Sequence, residues 1–172
     1  MTALSQQQET RLIHHLDAQL LTLSRSLKRQ TASSQDAAAS LALLTSHMTG
    51  LLALFKQVPA GSASLAVAYL MSILDATMDH LTLLALPEDT SSIFVLLAEM
   101  DDMYSGLIQA DLVTITEATR LRALFGTCRA VLFEKLEPKT QVIQELDNEE
   151  ATEIRLEAQL SNVFQKSLTL LS

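Results

Sequence analysis

The densest group of side chains that could do chemistry is Asp75, Asp79 and His80. Carboxylates and an imidazole are ligands for divalent metals and groups for acid–base catalysis. Asp75 and Asp79 are four residues apart and share one face of a helix, whereas His80 points about 100° away from Asp79. We interpret the group as a polar stripe. Two alternatives stay open: a salt-bridging hot spot for a partner, and a metal or catalytic site.

Other signatures of catalysis or cofactor binding are missing from the sequence. No histidine has a glutamate three residues before it, which removes the common helical zinc and di-iron motifs. The four glycines are isolated, so no local phosphate-binding loop can form. The single cysteine, Cys128, excludes an internal disulfide and a multi-cysteine metal site. We predict a non-enzymatic protein without metal or cofactor; if it is an enzyme, Glu99, Asp101 and Asp102 are the acids to test first.

The charge distribution indicates the kind of partner. The chain has a formal net charge of −8 and a pI near 4.9, which argues against a nucleic-acid surface. Residues 57–119 carry nine acidic residues and no lysine or arginine. One interpretation is that basic flanking helices neutralise this region in the fold; the other is that it is an acidic face for a basic partner.

Apolar residues recur at spacings of three and four throughout, and no long stretch alternates with period two. This pattern predicts an all-α fold, and short connections favour an antiparallel helical bundle with coiled-coil-like seams. We expect a single domain over residues 1–172 with about six helices, at 5–30, 35–58, 62–86, 91–109, 114–137 and 139–171.

Capping residues predict several helix boundaries. Ser33 or Ser34 is the expected N-cap of the second helix. The sequence from Thr114 to Glu117 matches a capping box that opens the fifth helix. Residues 145–157 carry six acids and one base, and the sequence leaves open whether they form a solvated helix or a loop.

The N-terminal sequence lacks a basic region followed by an apolar core, so no signal peptide is predicted. Two apolar stretches, 41–55 and 65–86, are too short or are interrupted by Asp75 and Asp79, so we predict buried helices and no membrane span. The expected location is intracellular, either cytoplasmic or nuclear.

Apolar residues outnumber the positions that one seam per helix would bury, and the surplus predicts a contact surface. The leading hypothesis is a helical scaffold or adaptor subunit of an intracellular multiprotein complex. Its partners are expected to be proteins, basic or helical, in a homo- or hetero-oligomer. The alternative is an assembly chaperone that holds an amphipathic client helix in a groove. The candidate interface residues are Asp75, Asp79, Leu83, Leu86, Glu99, Asp102, Phe164, Leu168 and Leu171.

Overall fold

A computed structural model describes residues 2–136 and 146–172, with side chains given from residue 154 onward in the second range. These residues form seven α-helices and a short 3₁₀ helix at Ala60–Ser62. The helices are α1 (Gln6–Ser33), α2 (Ala37–Phe55), α3 (Ala63–Leu83), α4 (Ser91–Gln109), α5 (Ile115–Leu136), α6 (Leu146–Asn162) and α7 (Gln165–Leu171). The prediction of an all-α bundle is confirmed.

The helices share one hydrophobic core, built from the positions that the three-four spacing marks. Leu23 of α1, Met48 of α2 and Leu74 of α3 are fully buried, as are Tyr104 and Phe125 from α4 and α5. Around this core α1 packs on α2, α2 packs on α3 and α4, and α3 packs on α5. The helices that pack most extensively on α4 are α2 and α7. The bundle therefore departs from a simple up-and-down order, in which α4 would pack mainly on α3 and α5.

Helix ends follow local hydrogen-bonding chemistry. The predicted capping box of α5 is confirmed: the Thr114 N–H donates to Glu117 Oε2 at 2.8 Å, and the Glu117 N–H donates to Thr114 Oγ1 at 3.3 Å. The predicted N-cap of α2 is wrong. Asp36 takes that role and accepts from the Ala39 N–H at 3.0 Å, because α1 continues to Ser33 and moves the start of α2 along the chain.

The C-terminal helix differs from the prediction of one helix over 139–171. Residues 139–145 lie outside the described part of the chain, and residues 146–157 belong to α6, which resolves the helix-or-loop alternative for that stretch. The helix then breaks at Val163 and Phe164, where Phe164 adopts a left-handed conformation with φ of 55°. The break turns α7 onto α4, its main packing partner.

Candidate protein interface

Asp75, Asp79 and Leu83 form an exposed row along α3, each four residues after the last. Leu83 ends the helix and leaves 81% of its surface exposed. The intervening His80 turns toward α1, where its Nε2 lies 3.3 Å from the Ser24 hydroxyl. Partial burial lowers the pKa of His80, and the negative charge of Asp79 opposes that shift. The two aspartates and His80 therefore point to different surroundings.

Leu86 lies just past the end of α3 and is half-buried. It lines a groove of about 600 Å³ between the C-terminal ends of α3 and α5, together with Val131 and Glu134. Lys135 closes part of this groove by donating from Nζ to the Leu84 carbonyl at 3.1 Å. The end of α3 thus presents apolar and acidic side chains next to each other.

Glu99 and Asp102 of α4 are each paired with a lysine from a neighbouring segment. Lys56 lies 2.6 Å from Glu99, and Lys166 lies 2.5 Å from Asp102. These are the ion pairs found among residues 2–136 and 154–172. Neutralisation by flanking basic residues therefore accounts for two of the nine acids in residues 57–119, and Asp75 and Asp79 take part in neither pair.

Phe164, Leu168 and Leu171 were predicted as interface residues, and the structure packs them inside the molecule. Phe164 is fully buried, Leu171 is 6% exposed and Leu168 is half-buried against the core. Their apolar surface is used inside the molecule, because α7 folds back onto α4. The Phe164 ring stacks on Phe125 at 4.3 Å between centroids and meets Tyr104 edge-on at 6.1 Å.

Sequence reasoning missed the residues that hold the α6–α7 break. The buried carboxylate of Asp101 on α4 accepts from the backbone N–H groups of Lys166 at 3.1 Å and Ser167 at 2.9 Å. Arg129 of α5 donates to the carbonyls of Val163 at 2.8 Å and Ser161 at 3.0 Å. Asp101 thus caps the start of α7 and Arg129 caps the end of α6. No local signal marks either role, since the partners lie 32–66 residues away in sequence.

The buried Cys128 and Tyr104 are held in their neutral, protonated forms by the core around them. Burial raises the pKa of the Cys128 thiol to about 12, which keeps it protonated and unreactive at neutral pH. Burial also raises the pKa of Tyr104 well above its ordinary value. Within the described ranges, no three histidine, cysteine or acidic side chains converge in a way that could hold a metal ion.

A second groove, of about 680 Å³, runs between α2 and the start of α4. One side is made of short side chains on α2, and the other carries Val95, which is 68% exposed. Pro87 and Asp89 lie at its margin. Apolar periodicity does not predict this groove, because alanine, serine and threonine on an exposed helix face give no apolar signal.

Two segments are long and apolar enough to span a membrane when judged by length and composition alone. They are Ala37–Phe55, with a mean hydropathy of 1.6, and Ala60–Leu83, with 1.3. Both supply buried residues to the shared core, and helices of such a core pass the same test. The absence of a membrane span stays a prediction.

The described residues form an all-helical protein with an exposed row on α3 and grooves between its helices. Residues 45–170 match the sequence profile of the family TFB6, described as subunit 11 of the general transcription factor TFIIH. The chain belongs to this family, and it is a subunit of a multiprotein complex. Neither the curated proteins nor the solved structures contain a match to the chain.

Proposed function

We propose that this protein is a non-enzymatic adaptor subunit of TFIIH that binds a protein partner through the exposed row Asp75, Asp79 and Leu83 together with Leu86. The family supports the complex, and the residues of the row support the mode of contact. We place its action in the nucleus, where a general transcription factor works.

The observation that carries the proposal is the exposure of Leu83. Leu83 leaves 81% of its surface in water. Its full burial against a partner would stabilise the complex by roughly 2 kcal/mol through the hydrophobic effect. Interfaces typically place such an apolar residue at their centre and polar residues around it. Here Leu83 follows Asp79 by one helical turn and Asp75 by two on the same face, and its chain neighbours Thr82 and Leu84 line the groove with Leu86.

Charge defines the partner for this row. Asp75 and Asp79 lie at a spacing at which like charges cost a few tenths of a kcal/mol on a helix surface. A lysine or arginine of a partner removes that cost and adds attraction during encounter. The proposed partner surface is therefore apolar at its centre and basic at its rim.

An assembly chaperone is the second candidate, and the groove between α2 and α4 favours it, since a groove of that size can receive a client helix. An adaptor remains in the mature complex at fixed stoichiometry, whereas a chaperone is released. Quantitative mass spectrometry of purified TFIIH separates the two: a subunit near one copy per complex supports the adaptor.

Leu83→Arg is the direct test, with Ile115→Arg as its matched control. Both residues are exposed, at 81% and 88%, and both changes add one positive charge. Leu83 ends α3 and Ile115 begins α5, where the helix dipole makes an added cation slightly unfavourable, so the control is the more demanding of the two for folding. We expect Leu83→Arg to reduce the TFIIH recovered with the tagged chain about tenfold or more, which is the loss typical of a hot-spot residue. Ile115→Arg should recover as much TFIIH as the unaltered chain. Equal recovery with both variants would contradict a role for the row.

A further inference from the structure

A basic turn at the end of α1 precedes a short run of hydroxyl side chains. Lys28 and Arg29 lie three and two residues before Thr31, and all three residues are exposed. Thr31 is the only serine or threonine of the chain with a lysine or arginine at both of those positions. Kinases that select basic substrates recognise this pattern, because acidic residues of their substrate cleft bind the basic side chains upstream of the hydroxyl. The sequence before Thr31 therefore has the charge pattern of a kinase substrate.

The end of α1 can unwind without disturbing the core. Leu27 is the last buried residue of this helix, and none of residues 28–33 is buried. The chain leaves the helix at Ser34, which is extended with φ of −148° and ψ of 142°. A helix end that buries no side chain opens at low cost in free energy. Opening gives an enzyme the extended segment that it needs around the reacting hydroxyl.

The Thr31 hydroxyl supports the last turn of α1 as long as it keeps its proton. Thr31 Oγ1 lies 3.0 Å from the Leu27 carbonyl oxygen and 3.1 Å from the Lys28 carbonyl oxygen, and its single proton is shared between them. A phosphoryl group replaces that proton and adds a charge of about −1.5 to −2 at neutral pH. The added charge lies beside carbonyl oxygens at the negative end of the helix dipole. Phosphorylation at this position therefore favours an unwound last turn.

We propose that Thr31 is a phosphorylation site for a protein kinase that selects basic substrates, with ATP as the phosphoryl donor. The bond between the γ-phosphorus of ATP and its bridging oxygen breaks, and a bond forms between that phosphorus and Thr31 Oγ1. The hydroxyl proton passes to the catalytic base of the kinase, and ADP leaves. Lys28 and Arg29 are the recognition residues. The site lies outside the row on α3, and its modification does not depend on the proposed contact with TFIIH.

The test treats the purified full chain with ATP and the catalytic subunit of cyclic-AMP-dependent protein kinase, and maps the modified residues by mass spectrometry over time. We expect phosphorylation at Thr31. Two other exposed residues are internal controls. Ser33 shares the segment that unwinds but lacks basic residues two and three positions upstream. Thr169 has Lys166 three positions upstream, but it lies in α7, where Ser167 and Leu171 are buried.

The two controls separate the charge pattern from the ability to unwind. Ser33 tests whether an accessible helix end is sufficient, and Thr169 tests whether an upstream lysine is sufficient. Both should be phosphorylated at least about tenfold more slowly than Thr31, because each lacks one of the two features that the kinase needs.

Two double variants test the recognition residues. Lys28→Gln with Arg29→Gln removes both upstream charges and should slow phosphorylation of Thr31 about tenfold or more. Arg120→Gln with Arg122→Gln removes two exposed charges from α5 and should leave that rate unchanged. All four residues are exposed, so circular dichroism should show the same helix content in both variants.

Hydrogen exchange measures the effect of the phosphate on α1. The Ser34 N–H donates to the Gln30 carbonyl at 2.9 Å and closes the last turn. This amide should exchange several times faster in the phosphorylated chain, whereas the amides in the middle of α2 should not change. Unchanged exchange at Ser34 would overturn the unwinding of the last turn.

Several results would overturn the site. They are no phosphorylation of the chain, phosphorylation of Ser33 or Thr169 as fast as that of Thr31, and equal rates in the two double variants. The tagged chain purified from growing cells with phosphatase inhibitors should also carry phosphate at residue 31. Detection of that peptide in its unmodified form alone would count against the site in the cell. Recovery of TFIIH plays no part in these measurements, so the adaptor proposal stands or fails separately.

Discussion

Tyr104 packs its ring in the aromatic cluster with Phe125 and Phe164, and its hydroxyl has no hydrogen-bond partner among the described residues. A buried hydroxyl without a partner costs about 1–3 kcal/mol. Tyr104→Phe keeps the ring and removes the hydroxyl, so we expect the free energy of unfolding to rise by about 1 kcal/mol. Urea unfolding followed by circular dichroism measures it.

Tyr69→Phe is the control for that substitution. The Tyr69 hydroxyl lies in an exposed contact with Asp17 at 3.4 Å, so its removal should change stability by less than about 0.5 kcal/mol. A destabilised Tyr104→Phe would show that the hydroxyl has a partner after all.

For individual residues, the sequence pattern predicts which apolar side chains are buried, but it does not predict which polar side chains cap helices. Leu23, Met48 and Tyr104 lie in series of apolar residues at three-four spacing, and all three are buried in the core. It could not separate Asp101 from Asp102, because the two are neighbours of the same type. Successive residues of a helix point about 100° apart, so Asp101 is 4% exposed and faces α7, whereas Asp102 lies at the surface. Asp101 acts as a cap because α7 packs at that position.

Those two aspartates allow a matched prediction about the docking of α7. Asp101→Ala removes the acceptor for two backbone N–H groups and for the Ser167 hydroxyl. We expect it to lower the free energy of unfolding by about 2–4 kcal/mol, as for loss of a buried charged hydrogen-bond partner. Asp102→Ala breaks only an exposed ion pair with Lys166 and should cost at most about 1 kcal/mol.

Hydrogen exchange shows whether the loss is local to α7. The amides of α7 should exchange much faster in Asp101→Ala than in Asp102→Ala, while the amides of α2 should change less. Similar exchange in the two variants would mean that Asp101 does not hold this helix.

The break before α7 could not be predicted because the sequence lacks its usual signals. No glycine or proline occurs between residues 139 and 172, and apolar residues continue at helical spacing through Phe164. A left-handed conformation costs a non-glycine residue about 1–2 kcal/mol. Burial of the Phe164 ring and the caps from Asp101 and Arg129 offset that cost, and all three come from tertiary structure.

The stability of the whole molecule should fall in alkaline solution. The folded state holds the Cys128 proton up to about pH 12, whereas the ordinary pKa is 9.0. Between these values the unfolded state binds fewer protons, so the free energy of unfolding decreases as pH rises, by up to about 1.4 kcal/mol per unit. Tyr104, whose pKa is also raised, acts in the same direction above pH 10.

Urea unfolding at pH 8, 9 and 10 tests this dependence. The double variant Cys128→Ala, Tyr104→Phe removes both groups and should show a flatter decline, even though the alanine lowers stability at every pH. Parallel declines in the two proteins would assign the alkaline effect to other groups.

For the molecule as a whole, periodicity was enough to predict an all-α bundle of about six helices. It did not predict which helices pack together across the core, because each seam is compatible with several neighbours. The choice of α2 and α7 as the main neighbours of α4 depends on side-chain shape and on the caps around Phe164, which no single helix encodes.

The long-range contacts around the left-handed turn at Phe164 predict an order of events in folding. Ser167 meets Asp101 across 66 positions of chain, and Val163 meets Arg129 across 34. Closing such long loops costs entropy before any contact forms, so local helix pairs such as α1 and α2 assemble early. The turn is favourable only once Asp101 of α4 and Arg129 of α5 are in place to cap it. We therefore expect α7 to dock after the other helices have packed, and the aromatic cluster to be the last part of the core to lose its water.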